Sequence, residues 1–323
     1  MKQYLERMNK NMKADMMWGY LIHLSANMWG EPNSHMPTAP WREVMDTDDE
    51  IWTKVIDFLP AQGINTVVID VGDAIEYESH PEIVLPGAWS KDKLKKELNR
   101  MRAMGLTPLP KLNFSAGHDA WLKEYSRMLS TPQYYKVCED LILEVAELFD
   151  YPEYFHIGMD EEWCQNKENM IVVRPKWLWW EDINFLFRVC DKAGTRPWVW
   201  SDPCWNDPEE YLTKMSKSVL QSNWYYHTIE KDKDGTYKKK EIETFLKLDE
   251  AGFEQVPACS SITRWYNAEQ MIKMGKDDLN PELLKGFMTC PWVFTELKHY
   301  YALLNDAHRF GLAKKLWYPE LCK

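Results

Sequence analysis

Two kinds of apolar pattern take turns along the chain. Short, nearly continuous apolar runs occur at 18–26 (WGYLIHLSA), 64–71 (INTVVIDV), 106–114, 154–159, 195–202, 218–226, 253–261 and 286–294. Runs of this length, apolar on both faces, predict buried strands of a parallel sheet. Between them, apolar residues spaced three and four apart predict amphipathic helices over 46–63, 90–105, 131–150, 180–194, 240–252, 267–277 and 296–311. Asp and Thr with an acidic first turn open 46–63, Ser90 caps 90–105, and Pro132 stands near the start of 131–150. Gly63, Gly105 and Gly194 mark stops.

The alternation repeats eight times in about 300 residues, which predicts the α/β class and a (β/α)8 (TIM) barrel. A doubly wound open sheet is the competing architecture, but no G-x-G-x-x-G follows the first strand. No Gly/Ser/Pro-rich tract divides the chain. The expected organisation is one catalytic domain over 1–323, with 1–17 as an N-terminal extension.

In a barrel of this kind the carboxyl ends of the strands carry the chemistry. The fourth strand runs straight into three acids, Asp160, Glu161 and Glu162, in the string EYFHIGMDEEW (153–163). Desolvation and mutual repulsion oppose such a cluster unless it works or is solvated. Side chains alternate along a strand, so Asp160 and Glu161 are expected to point apart and divide their roles. Glu162 is expected to turn away, toward solvent or a supporting Arg or Lys. Other strand ends bring Asp70 and Asp73, Asn113 and His118, Ser201 and Asp202, Trp224 and Tyr225, and Trp292 and Glu296 to the same face.

Composition narrows the partners. The net charge of -11 argues against nucleic acid and against anionic membranes. No run of 18 apolar residues predicts a membrane-spanning helix, and the N-terminus lacks the apolar core of a signal peptide. A removed leader would change the compartment, which the sequence leaves open between cytoplasmic and exported; the oligomeric state is equally open. Seven cysteines, at 138, 164, 190, 204, 259, 290 and 322, form no C-x-x-C pair, so free thiols are expected rather than a disulfide scaffold or zinc site. No cofactor is expected. The 17 Trp and 16 Tyr stand out, and several cluster near strand ends. Most would pack the core, but flat amphipathic rings also suit stacking on sugar faces.

The string HIGMDEE (156–162) resembles the His-x-Gly-Gly-Asp-Glu signature of the glycoside hydrolase family 20 β-N-acetylhexosaminidases, through His156, Gly158, Asp160 and Glu161. It departs at Met159, where that family has its second Gly. NFSAGHDAW (113–121), WVWSD (198–202), WYY (224–226) and CPWVFTE (290–296) resemble further segments of the same barrels. The resemblance implies a (β/α)8 barrel acting on a carbohydrate by substrate-assisted retention, an exception to the two-carboxylate rule. It makes Glu161 the general acid and then base, with Asp160 holding the 2-acetamido group whose oxygen attacks. Tyr225 or Tyr226 would bond the acetamide, and Trp200, Trp224 and Trp292 would wall the sugar subsite. His118, Asp202, Glu296 and Asp70 join them as candidate substrate contacts. The first strand lacks the Arg with which that family grips sugar hydroxyls.

Two alternatives stay open: a non-catalytic carbohydrate-binding barrel, and a two-carboxylate glycosidase with Glu296 or Asp202 as nucleophile. EKDKDGTYKKKE (230–241) fits a calcium loop loosely, but Asp234-Gly235 predicts a β-hairpin there. His156, on an apolar strand, is expected to be a satisfied core histidine. No H-E-x-x-H or G-x-S-x-G pattern supports a zinc protease or a serine hydrolase.

Overall fold

The computed structural model describes residues 16–28, 41–162 and 172–322. Residues 1–15 of the expected N-terminal extension, and Cys164, lie outside these, and Met17 already belongs to the first strand. The strands are β1 (Met17–His23), β2 (Thr66–Asp70), β3 (Thr107–Lys111), β4 (Tyr154–His156), β5 (Arg196–Trp200), β6 (Leu220–Ser222), β7 (Ala258–Cys259) and β8 (Gly286–Thr289). All neighbours pair in parallel, in the order β6-β5-β4-β3-β2-β1-β8-β7. The ring closes between β6 and β7 through isolated bridges, Gln221 with Gln255 and Trp224 with Ala258. Among the described residues one α-helix follows each strand. They are α1 (Asp49–Phe58), α2 (Lys91–Ala103), α3 (Pro132–Leu148), α4 (Lys176–Lys192), α5 (Pro208–Lys214), α6 (Lys240–Glu250), α7 (Asn267–Asp278) and α8 (Tyr300–Trp317). The fold is a (β/α)8 barrel.

Helix starts follow from side-chain caps that satisfy otherwise orphaned amides. Asp48 accepts from Glu50 and Ile51 N–H at 2.9 and 3.1 Å, Ser90 from Lys93 N–H at 3.2 Å, and Thr131 from Tyr134 N–H at 3.2 Å. α5 is the helix that the apolar pattern does not announce. Asp207 caps it and Pro208 starts it, but seven residues are too few to show a helical period.

Strand alternation builds two cores. Trp18, Tyr20 and Ile22 of β1, with Val67 and Ile69 of β2, face the helices. Met17 and Leu21, with Val68, Leu109, Trp198, Trp200, Leu220, Met288 and Cys290, fill the barrel. The prolines that blur β3 have a consistent place. The residues at 107 and 111 bond toward β2, so Pro108 and Pro110 both direct their missing donors toward β4. The β3–β4 register accordingly rests on a single pair, Lys111 with His156.

Several strands end before their apolar runs do. β4 stops at His156 rather than 159, and β6 and β7 shrink to three and two residues. The residues beyond stay buried or, like Trp224 and Tyr226, half-buried, and leave the ladder to build the barrel mouth. The 230–241 segment is a hairpin, with Asp232 N–H bonded to the Thr236 carbonyl at 2.8 Å and Lys238 N–H to that of Glu230 at 3.1 Å. Cys138, Cys190, Cys204, Cys259 and Cys290 are buried free thiols, and Cys322 is a half-buried one. No described helix is long and apolar enough to cross a membrane.

Candidate functional site

The site begins where β4 stops being a strand. Ile157 still bonds both neighbours: its N–H reaches the Trp198 carbonyl at 2.9 Å, and its carbonyl accepts from Phe114 N–H at 3.1 Å. The chain then turns left-handed at Gly158 (φ +74°), Met159 (φ +75°) and Glu161 (φ +60°). Asn113, just past β3, is the template for this turn. Its Oδ1 accepts from Ser115 N–H at 3.0 Å and Met159 N–H at 3.3 Å, and its Nδ2 donates to Asp160 Oδ1 at 2.8 Å.

Gly158 is required there for two reasons, its positive φ and its closeness to Asn113. A Cβ at this position would lie 1.9 Å from Asn113 Oδ1. Gly158→Ala is therefore expected to lower stability by roughly 2–4 kcal/mol through left-handed strain and overpacking. It should also unseat Asn113 from Asp160. Chemical denaturation of the purified variant measures the first effect, and loss of turnover on the substrates considered below measures the second. Met159 occupies a conformation that glycine adopts freely and that costs an L-residue about 1–2 kcal/mol. Its side chain is wholly buried in the core, which offsets that cost by about the same amount or more.

The left-handed residues cancel the strand alternation that would have separated the acids. Both carboxylates converge on one imidazole: His118 Nε2 lies 3.1 Å from Glu161 Oε2 and 3.4 Å from Asp160 Oδ2. Burial pushes the His118 pKa down, but Asp160 and then Glu161 outweigh it and leave the group above its ordinary value. The Asp160 side chain is 13% exposed and that of Glu161 33%, so Glu161 reaches furthest toward the open mouth. Glu162 turns the other way, as expected, to a supporting Arg rather than to solvent. It accepts from Arg174 Nε at 3.0 Å, Arg174 Nη2 at 2.5 Å and Ala116 N–H at 2.9 Å. Arg174 also donates to Asp182.

His156 is a core histidine as expected, but only half satisfied, since its buried Nε2 has no hydrogen-bond partner among the described residues. Its Nδ1 accepts the Gly158 N–H at 3.1 Å, and Trp198 and Trp200 pack on its ring at 4.9 and 4.6 Å. Burial holds its pKa well below the ordinary value, so the ring is neutral.

Asp202, just past β5, is fully buried against the acids. Its Oδ2 accepts the Glu161 backbone N–H at 2.8 Å, and its Oδ1 accepts from Trp224 Nε1 at 3.2 Å. Burial first, then the charges of Asp160 and Glu161, push its carboxyl well above the usual range. From Trp224 an aromatic run crosses the mouth. Trp205 meets Trp224 edge-on at 4.5 Å, and Tyr226 stacks on Trp224 at 5.2 Å. Trp292 meets Tyr226 at 6.2 Å and Trp200 at 5.9 Å.

Tyr225 lies off this run. Its ring meets His227 at 5.8 Å and its carbonyl accepts from Asn267 at 3.0 Å. Tyr226 holds the inward place beside Trp292, Cys290 and Asp160. Trp224 and Tyr226 are two residues apart, so strand alternation was the available signal for it.

Three other candidates are engaged elsewhere. Asp70 is buried between Lys111 Nζ at 2.5 Å and His23 Nδ1 at 3.3 Å. Burial raises its pKa, but Lys111 and then His23 outweigh that and hold it below the usual range. Trp200 is buried under Trp292 as part of the barrel filling. Glu296 sits between two cations, Lys298 Nζ at 2.6 Å and Arg42 Nη2 at 3.9 Å, with the His299 Nε2 at 3.5 Å. Arg42 comes from the loop after β1, and its guanidinium lies 4.9 Å above the Phe294 ring.

No protein-family model and no curated protein matches the chain. Solved structures do. A family 20 exo-β-N-acetylglucosaminidase from Vibrio harveyi, in complex with N-acetylglucosamine, is 15% identical with a TM-score of 0.62. The alignment covers 95% of this chain and 57% of that one. A β-N-acetylhexosaminidase from Bacteroides fragilis is 14% identical (TM-score 0.61), covering 95% of this chain and 71% of that one. One from Streptomyces plicatus, bound to Thio-NAglucal, is 13% identical (TM-score 0.61), covering 92% and 64%. At these identities the likeness is one of fold, a distant version of the family 20 barrel. The chain spans a little over half the length of the Vibrio harveyi enzyme.

Proposed function

We propose that the chain is a glycosidase that removes a terminal N-acetylhexosamine with retention, using the substrate's own acetamide as nucleophile. The observation that carries this is the convergence of Asp160 and Glu161 on His118 at the mouth of a barrel with this fold. Glu161, the more exposed acid, donates its proton to the glycosidic oxygen as the C1–O bond breaks. The acetamide oxygen bonds to C1 and closes a cationic oxazolinium ring. Asp160, ionised and fixed by the Asn113 N–H, accepts from the acetamide N–H and stabilises the developing charge. Glu161 then takes a proton from the water that reopens the ring at C1.

Trp224 and Trp292 wall the sugar, and the ring contacts of Tyr226 with both favour it over Tyr225 as the residue that bonds the acetamide oxygen. Asp202 is a poor nucleophile for the two-carboxylate alternative, since both of its oxygens accept from protein N–H groups.

A panel of 4-nitrophenyl glycosides tests the proposal. Release from N-acetyl-β-glucosaminide or N-acetyl-β-galactosaminide is expected, with none from the plain β-glucoside or β-galactoside. Equal cleavage of the 2-hydroxyl sugars would overturn the acetamide mechanism. Tight sugar binding without any turnover would point to a binding barrel instead.

A further inference from the structure

Asp202 has both carboxylate oxygens engaged by protein donors and no exposed surface. A sugar therefore has no free atom of it to meet. The two donors belong to different parts of the mouth. One is the backbone N–H of Glu161, a residue held at φ +60°, where an L-residue is unfavourable by about 1–2 kcal/mol unless its surroundings hold it. The other is the indole N–H of Trp224.

Asp202 itself opens a short 3-10 turn, Asp202–Trp205, whose Trp205 packs edge-on against Trp224 and donates to Asn223 Oδ1 at 2.7 Å. The preceding residue is pinned too. Ser201 N–H bonds the Ser222 carbonyl at 3.0 Å, and Ser201 Oγ bonds Gln221 Oε1 at 3.0 Å. Asp202 is thus a rigid post between the acid loop and the aromatic wall.

Its chemistry explains why a carboxylate stands among other carboxylates. Two N–H donors approach two different oxygens, and an amide side chain has only one acceptor oxygen. Asn would present its NH2 to one of the donors.

Resting on the reading of Glu161 as proton donor, we infer that Asp202 is a positioning residue. It sets the Glu161 carboxyl through that residue's backbone and ties it to the Trp224 wall of the sugar pocket. The two functions separate in two variants. Asp202→Ala frees the left-handed turn, and the damage falls on proton transfer. Asp202→Asn keeps an oxygen for Glu161 N–H but sets an NH2 against the Trp224 indole, and the damage falls on sugar binding.

The test measures kcat/KM and KM on two N-acetyl-β-glucosaminides. The 4-methylumbelliferyl leaving group needs a proton, and the 2,4-dinitrophenyl one departs without it. Asp202→Ala should lose about 100-fold on the first and only a few-fold on the second. Asp202→Asn should lose the same several-fold factor on both, through KM. Equal losses across the two leaving groups in Asp202→Ala, or unchanged kinetics in Asp202→Asn, would overturn the assignment while leaving the glycosidase reading intact. A wild-type protein that cleaves neither glycoside would overturn both. Should Asp202→Ala not fold, the near-isosteric Asp202→Asn decides the matter through KM against kcat.

Discussion

Glu161→Gln is expected to cut kcat/KM on 4-methylumbelliferyl N-acetyl-β-glucosaminide by about 10²–10⁴-fold, the usual worth of a general acid–base group. Thermal unfolding should hardly move. The side chain is one-third exposed, and its contact with His118 Nε2 is one that an amide of the same shape can keep. The backbone N–H that Asp202 holds is untouched by the change. The substitution removes a transferable proton and little else, so lost turnover with an unchanged melting curve is the signature of a proton donor. Retained turnover on this leaving group, a less acidic phenol than 2,4-dinitrophenol, would move the acid role to another residue.

Arg174→Ala is expected to destabilise the protein by about 3–5 kcal/mol, the cost of breaking a buried ion cluster by removing one partner. Arg174 joins Glu162 and Asp182, and none of the three side chains is more than 4% exposed. Tyr135 and Ser130 hydroxyls also donate to Asp182, so its carboxylate keeps some support when the cation is gone. Among the described residues Glu162 keeps only the Ala116 amide. Both anions would then lie buried next to the acid loop. Urea unfolding of wild type and variant measures the loss. In a double variant, Glu162→Gln with Arg174→Met, the penalty should shrink, because one unpaired charge leaves with its partner. A loss below about 1 kcal/mol in Arg174→Ala would mean the anions find water instead.

The architecture was largely legible because long helices and β-branched runs carry strong, regular periods. What stayed hidden has local causes. α5 is too short to show a period, and it is announced only by Asp207-Pro208. The residues just past β4 and β7, and Asn223 and Tyr225 past β6, are as buried as strand residues, so apolar character could not show where the ladders end.

The candidate site was legible at its centre, in Asp160, Glu161 and His118, and less so around it. The convergence of the two acids depends on three left-handed residues in four, two of them not glycine, and no side-chain pattern predicts that. Asp70 carries the right chemistry at the right strand end, but the Lys111 ammonium across the ladder claims it. That Tyr226 rather than Tyr225 joins the aromatic run needed only the alternation of a strand, continued past the point where β6 ends.

The ring of strands is not equally stiff. From β1 to β2 the ladder runs over five residue pairs, whereas β6 and β7 meet only at isolated bridges. Mechanically, the barrel is a hoop with thin seams at β6–β7 and at β3–β4, but past the β3–β4 seam Phe114 and Asn113 bond Ile157, Met159 and Asp160, so any dilation of the mouth concentrates at β6–β7. Trp224 and Tyr226 stand immediately past β6, on the lip beside that seam. Asp160, Glu161 and His118 belong to the loops after β4 and β3, on the braced side. The aromatic wall can therefore yield to admit and release a ring while the proton-handling groups stay still. The Asp202–Trp224 hydrogen bond is the tether that limits how far it yields.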